Sequence, residues 1–228
     1  YDSALMFGDM VFEMTRSFNQ KQFLLDEHLD RLFASAQYVE ISIPLSKEEL
    51  SQACLDTIEE NIPAFEKNDE HRLMINVTRG NLSIYNEALN SKPGTNIIIS
   101  DFPLRWTVQS MGPLYNEGIN AIVTNQKIIP ASLLEPKVKS RSRLHYMMAN
   151  IEVSRQKGKN NWALLSDPDG FIAEGTGSNF LIIKNGQLIS PEPRNILRGI
   201  SLNFVIELSK KLGIPFIEKN IEPYDVMF

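Results

Sequence analysis

Cysteine is almost absent from these 228 residues. Cys54 stands alone, so no intramolecular disulfide can form and nothing points to an oxidising compartment. Histidine is also scarce: His28, His71 and His145 show none of the paired spacing of a zinc site, and no metal is expected. Asp167-Pro168-Asp169-Gly170 has the opening of a calcium loop without its later ligands and reads as a β-turn. An excess of positive charge is missing too. The 23 basic residues against 28 acidic ones give a net charge of −5, which argues against a dedicated nucleic-acid or membrane-surface binder but leaves anionic small molecules to local patches. No apolar run approaches the roughly 18 residues of a membrane helix. No secretory leader precedes Tyr1, and the expected location is cytoplasmic. Repeats and low-complexity segments are lacking. A start without Met and a strand-like finish at Asp225-Val226-Met227-Phe228 read as two cut ends.

With 43% hydrophobic residues the chain can bury one large core or two modest ones, and two domains are expected. The boundary is placed in the irregular stretch Pro103 to Pro113, giving domains over 1–105 and 106–228. Val11 to Phe18 and Lys21 to Leu25 flank Asn19-Gln20 as a hairpin. Asp26 is positioned to cap a helix carrying Leu29, Leu32, Phe33 and Ala36 inward. Ser46 and Glu49 have capping-box spacing at the head of a second helix, whose inward face includes Cys54. Arg72 to Thr78 and Asn96 to Ser100 read as strands around a polar loop, Gly80 to Gly94. The second half is richer in strands: Ile119 to Thr124, Trp162 to Ser166, Phe171 to Ala173, Phe180 to Lys184 and Gln187 to Ile189, with Asn185-Gly186 a two-residue hairpin signal. Helices are predicted from Ser142 to Lys157 and from Ile200 to Leu212, the latter stopped by Gly213. Hairpins outnumber strand-helix-strand units in this half, which argues against a Rossmann sheet.

Chemistry concentrates in two segments. Pro136-Lys137-Val138-Lys139-Ser140-Arg141-Ser142-Arg143-Leu144 is followed about 35 residues later by Glu174-Gly175-Thr176-Gly177-Ser178-Asn179-Phe180. A lysine that forms an imine with pyridoxal phosphate needs an acid at the ring nitrogen, because the protonated ring is the electron sink. The basic alternation at 137, 139, 141 and 143 equally suits a solvated edge or a phosphate contact, and the glycine-rich run after Glu174 equally suits a turn. Arg198-Gly199-Ile200-Ser201 opens a helix, where amides and the positive helix end can seat a phosphate. Arg31 on the first helix would ordinarily be a surface residue.

Taken together, Phe7 to Glu13, Asp26 to Leu32, the lysine segment, Glu174 to Phe180 and Leu197 to Ser201 resemble the class IV, or fold-type IV, aminotransferases. That family includes branched-chain and D-amino-acid aminotransferases, R-selective amine transaminases and 4-amino-4-deoxychorismate lyase. The resemblance implies an α+β fold: a small N-terminal α/β domain, a larger C-terminal domain with a β-barrel-like core that binds pyridoxal 5′-phosphate, and a homodimer. By position it makes Lys139 the Schiff-base lysine and Glu174 the partner of the pyridine nitrogen. Arg31, Ile200 and Ser201 become phosphate ligands, and Phe7 and Phe12 walls of the substrate pocket. The implied reaction is ping-pong transamination of a branched-chain or related amino acid with a 2-keto acid. The alternative is lyase release of 4-aminobenzoate and pyruvate, to which Arg143-Leu144 bears some likeness.

Departures from the family bear on substrate choice. Leu144 stands where many branched-chain relatives carry a tyrosine, and Tyr146, two residues on, is no simple substitute. Ile84 and Asn86 replace the Arg and His that trap the carboxylate in D-amino-acid aminotransferase. Met10, Leu181 and Leu202 replace a usual glycine, aromatic and arginine. Arg79, near a predicted strand end facing the pocket, is a candidate carboxylate anchor, with a surface arginine as the alternative.

Overall fold

The computed structural model describes residues 1–90, 92 and 94–227. It divides into two units, Tyr1–Pro113 with Val138–Ser142 and Leu114–Lys137 with Arg143–Phe228.

The first unit is built on one antiparallel sheet of order β2-β1-β3-β4, with β1 Met10–Phe18, β2 Lys21–Gln22, β3 His71–Thr78 and β4 Asn96–Pro103. A short helix, α1 Ser3–Phe7, precedes it. Asn19 and Gln20 both take positive φ, 50° and 65°, the conformation that suits a tight hairpin to the right-handed strand twist. Side-chain alternation turns Val11, Leu73, Ile75 and Val77 inward, where α2 Leu25–Tyr38 and α3 Lys47–Asn61 supply Leu29, Leu32, Leu50 and the buried Cys54. The capping box of α3 forms as expected, with Ser46 Oγ accepting from Glu49 N–H and Glu49 Oε2 accepting from Ser46 N–H. The cap of α2 differs from expectation. The chain leaves the hairpin through a left-handed Leu24, which takes the cap position without a side-chain bond, and Asp26 lies inside the first turn. Its charge there still complements the helix dipole.

Between Pro103 and Pro113 lies a helix, α4 Arg105–Met111, in place of the irregular stretch expected. The prolines sit outside its two ends, where a missing N–H costs nothing, so they flank the helix and do not break it. The polar loop from Gly80 contains a 3₁₀ turn at Ser83–Tyr85; Ser91 and Pro93 lie outside the described residues. Five residues from far down the chain complete the unit. Val138 enters its core, and Ser140 bridges Val11 in antiparallel fashion.

The second unit holds two three-stranded sheets, β5-β6-β7 and β10-β9-β8. Its elements are α5 Leu114–Glu117, β5 Asn120–Val123, α6 Leu144–Ser154, β6 Asn161–Ser166, β7 Ile172–Gly175, β8 Ile182–Lys184, β9 Gln187–Ser190, α7 Ile200–Lys211, β10 Phe216–Glu218 and α8 Pro223–Met227. The pairs β6–β7 and β8–β9 are antiparallel, and Asn185 and Gly186 make the predicted hairpin turn with φ of 53° and 73°. The pairs β5–β6 and β9–β10 are parallel, with α6 and α7 between their strands in sequence. Hairpins therefore do not outnumber strand-helix-strand units, because the short β10 was not foreseen. Gly213 closes α7 in the left-handed conformation, its N–H donating to Lys210 O. The tail expected to be extended is helical through Met227, since Pro223 and Asp225 suit a first turn; Phe228 lies outside the described residues.

Candidate active site

The candidate residues fall into two groups, one in each unit. In the first, Lys139 is pinned by its backbone. Its carbonyl accepts from Phe12 N–H at 3.0 Å, its own N–H donates to Ser35 Oγ on α2 at 3.2 Å, and Arg141 N–H donates to Met10 O at 2.9 Å. In such an antiparallel pairing, Lys139, Arg141 and Phe12 lie on the same side of the backbone, away from Ser140 and Val11. The side chains bear this out: Lys139 Nζ is 4.8 Å and Arg141 Cζ 3.6 Å from the centroid of the buried Phe12 ring. Two members of the basic alternation, Lys139 and Arg141, are thus set by one edge pairing so that an amine and a guanidinium approach a single aromatic ring. Arg141 is steadied further by Asn76 Oδ1 at 3.1 Å.

Arg31 is held by a residue that sequence reading passed over. Glu13, with 0% exposure, accepts from Arg31 Nε at 2.6 Å and from Arg31 Nη2 at 2.8 Å, and its Oε2 is 2.7 Å from His28 Nδ1. His28 and Arg31, three apart on α2, share a helix face and converge on this carboxylate. Burial raises the Glu13 pKa, but the bonds from His28 and Arg31 outweigh it and hold the group below the ordinary carboxylate range. The fork fixes the guanidinium plane. Signals for Glu13 were present: its place among the inward positions Val11, Glu13 and Thr15, and two basic side chains at helical spacing.

Arg79, the candidate carboxylate anchor, is engaged by protein groups of its own unit. Its Nε and Nη2 reach Asp9 at 2.7 and 3.1 Å, and Nη1 and Nη2 donate to the carbonyls of Glu40 and Val39, both at 2.7 Å. Those carbonyls follow the C-terminus of α2, so Arg79 ties off that helix end, with a side chain 43% exposed. Phe7 ends α1 and is 68% exposed.

In the second unit, Glu174 on β7 is 5% exposed. Its Oε1 accepts from Tyr146 Oη at 2.6 Å, and its Oε2 from Leu197 N–H at 3.0 Å. Burial, then the Glu174 charge and hydrogen bond, push the Tyr146 phenol above the ordinary tyrosine range. Asn179 bridges Glu174 in antiparallel fashion and donates from Nδ2 to Leu197 O at 2.8 Å. The same asparagine abuts Gly199, where an added Cβ would lie 2.1 Å from Asn179 Oδ1. Ile200 and Ser201 open α7, Ile200 buried and Ser201 exposed, and no side chain caps this helix start. An uncapped helix start of this kind can seat an anion.

Each unit offers its own donors: the first a primary amine beside an aromatic ring and an oriented guanidinium, the second a buried carboxylate and an uncapped helix start. The sequence features for Lys139, Glu174, Arg31, Ile200 and Ser201 were local motifs. Tyr146, Glu13, Ser35 and Asn179 act through contacts across the fold, which adjacency in sequence does not reveal.

The family described as amino-transferase class IV matches residues 10–227. A protein of Methanocaldococcus jannaschii named as a branched-chain-amino-acid aminotransferase is 35% identical over 229 residues, covering 99% of this chain and 74% of its own. D-alanine aminotransferase of Listeria monocytogenes is 30% identical over 233 residues, covering 99% and 73%. Among solved structures, the branched-chain aminotransferase of Thermoproteus uzoniensis with norvaline superposes with a TM-score of 0.83 at 25% identity, covering 99% of this chain and 73% of that one.

Proposed function

The chain belongs to the class IV aminotransferase family, and from that membership we propose that it transfers the amino group of a branched-chain or related amino acid to a 2-keto acid with pyridoxal 5′-phosphate as cofactor. The observation that carries this reading is the buried Glu174 carboxylate, supplied with two hydrogen-bond donors and so suited to a cationic ring nitrogen. When bound, the cofactor supplies the electron sink that stabilises negative charge at the substrate α-carbon. Lys139 provides the amine that anchors it and the base that moves the α-proton. Glu174 keeps the ring nitrogen protonated. Arg31, held by Glu13, and the Ile200 and Ser201 amides take the phosphate. Phe12 and Phe7 wall the substrate.

The finer reading keeps two domains, a small N-terminal α/β domain and a cofactor domain with a β-barrel-like core. The active form is a homodimer. It is supported by exposed apolar side chains on β4 and α4, namely Ile98, Trp106 and Val108, which a second copy would cover. The working location is the cytoplasm, in keeping with a single buried cysteine whose thiol burial pushes up to about 12. No described helix is long and apolar enough to cross a membrane. The relatives carry aminotransferase names, which favours transfer over lyase elimination.

Purified with cofactor, the protein should absorb at about 410–430 nm, the usual range for a lysine-bound pyridoxal chromophore. It should turn over an L-branched, D- or simple amine donor repeatedly only when a keto acid is present, with one stoichiometric conversion per bound cofactor in its absence, and with ping-pong kinetics. Lys139→Ala should abolish both the band and turnover. Release of 4-aminobenzoate from aminodeoxychorismate without a keto acid would overturn the transaminase assignment.

A further inference from the structure

Tyr146 lies on α6, and its phenol oxygen is 2.6 Å from Glu174 Oε1, within the range of a charge-assisted O–H···O⁻ bond. The contact lies inside the second unit. The phenol ring is flanked by the Arg143 guanidinium, 5.3 Å from its centroid, and by the His145 ring at 4.1 Å. Burial and the neighbouring carboxylate both keep the proton on the phenol, so Tyr146 is the donor. Leu197 N–H occupies the other carboxylate oxygen. Each bond favours the ionised form of the carboxylate.

We propose that Tyr146 is a positioning residue for the cofactor ring: by donating to Glu174 it lowers the basicity of that carboxylate, so that a proton shared with a bound pyridine rests on the ring nitrogen. The proposal rests on the pairing of Glu174 with that nitrogen. A buried carboxylate deprived of a donor becomes a stronger base and competes for the ring proton, leaving a neutral pyridine that withdraws electrons poorly. Proton transfer in that direction breaks no other bond: the N–H is lost and a carboxyl O–H gained. One hydrogen bond to a charged group corresponds to a shift of about ten- to a hundredfold in such an equilibrium. Tyr146 thus differs in task from the family tyrosine placed beside the ring hydroxyl, whose position here is Leu144.

The test is the ¹⁵N resonance of ring-labelled pyridoxal phosphate bound to wild type, Tyr146→Phe and Glu174→Gln at neutral pH, with far-ultraviolet circular dichroism and melting curves to establish folding. The expected result is a protonated ring in wild type and a shift toward the neutral-pyridine position in Tyr146→Phe, with kcat falling about tenfold. Should Tyr146→Phe not fold, 4-aminophenylalanine at 146, a weaker donor of nearly the same size, should give an intermediate shift. A ring equally protonated in wild type and the Tyr146 variants, but not in Glu174→Gln, overturns the role of Tyr146 and leaves that of Glu174 standing. A ring unprotonated in wild type overturns both.

Discussion

A carboxylate without exposed surface, such as Glu13, stays ionised only because its partners replace the water it has lost. Arg31 and His28 do this, so Glu13→Gln should take an ion-pair partner from the nearly buried Arg31 guanidinium. The expected loss is about 3–5 kcal/mol at neutral pH, measured by urea unfolding. The pH dependence has a definite sign. The Glu13 pKa is lowered in the folded state, so its stabilisation is complete above the ordinary carboxylate range and disappears as pH falls through the folded value. The gap between wild type and Glu13→Gln should therefore narrow in acid, and a gap of constant size would mean that the charge contributes nothing. Cofactor affinity should drop in the variant as well, because Arg31 loses the fork that orients it. At this scale Lys139 and Glu174 are candidates through ordered motifs that resemble a family's, since their residue types and spacing alone equally suit an edge and a turn. Glu13 and Tyr146 were harder to find, since each derives its meaning from a partner at least 15 positions away.

The start of α7 is tied through Asn179 and Leu197 to a buried carboxylate. Gly199 has an ordinary φ of −66°, so an alanine there meets no backbone strain; it meets Asn179, whose Oδ1 would be 2.1 Å from the new Cβ. Asn179 could yield only by releasing its bond to Leu197 O, and Leu197 is the residue whose amide holds Glu174. Gly199→Ala should thus cost about 1–3 kcal/mol, as overpacking does, and Asn179→Ala about 1 kcal/mol for the lost hydrogen bond. Combined, they should cost clearly less than their sum, because removing the asparagine makes room for the methyl group. Strict additivity in chemical denaturation would dismiss the contact. The helix itself was readable from Gly199 to Gly213 because caps are local signals. β10 was not: the three residues Phe216–Glu218 carry too little alternation to read, and their parallel pairing with β9 depends on the return of the chain through α7. α4 was hidden for the opposite reason, since Pro103 and Pro113 look like breakers until their places outside the helix are known.

For the molecule as a whole, the return of Val138–Ser142 to the first unit matters most. A boundary drawn along the sequence cannot represent a segment that leaves one unit, enters another and comes back, and bridge partners 129 positions apart leave no trace in local pattern. The return nevertheless has a definite energetic weight. Val138 is buried in the first core, worth about 1.5–3 kcal/mol, and the bonds Phe12 N–H to Lys139 O and Arg141 N–H to Met10 O add about 0.5–1.5 kcal/mol each. That sum is a large part of the roughly 5–15 kcal/mol typical of a domain, yet smaller than the whole. Residues 1–113 expressed alone should therefore fold with a markedly lower urea midpoint than the same residues joined through a Gly/Ser linker to 138–142. A synthetic peptide of residues 136–144 should raise the melting temperature of the shorter fragment with increasing concentration, as a ligand of the native state does. The same peptide with Val138→Asp should have no effect, because an unpaired carboxylate cannot enter that core. If both peptides were inert while the fragment folded normally, the lysine segment would be a passenger on the first unit, and its amine would need another account of how it is held in place.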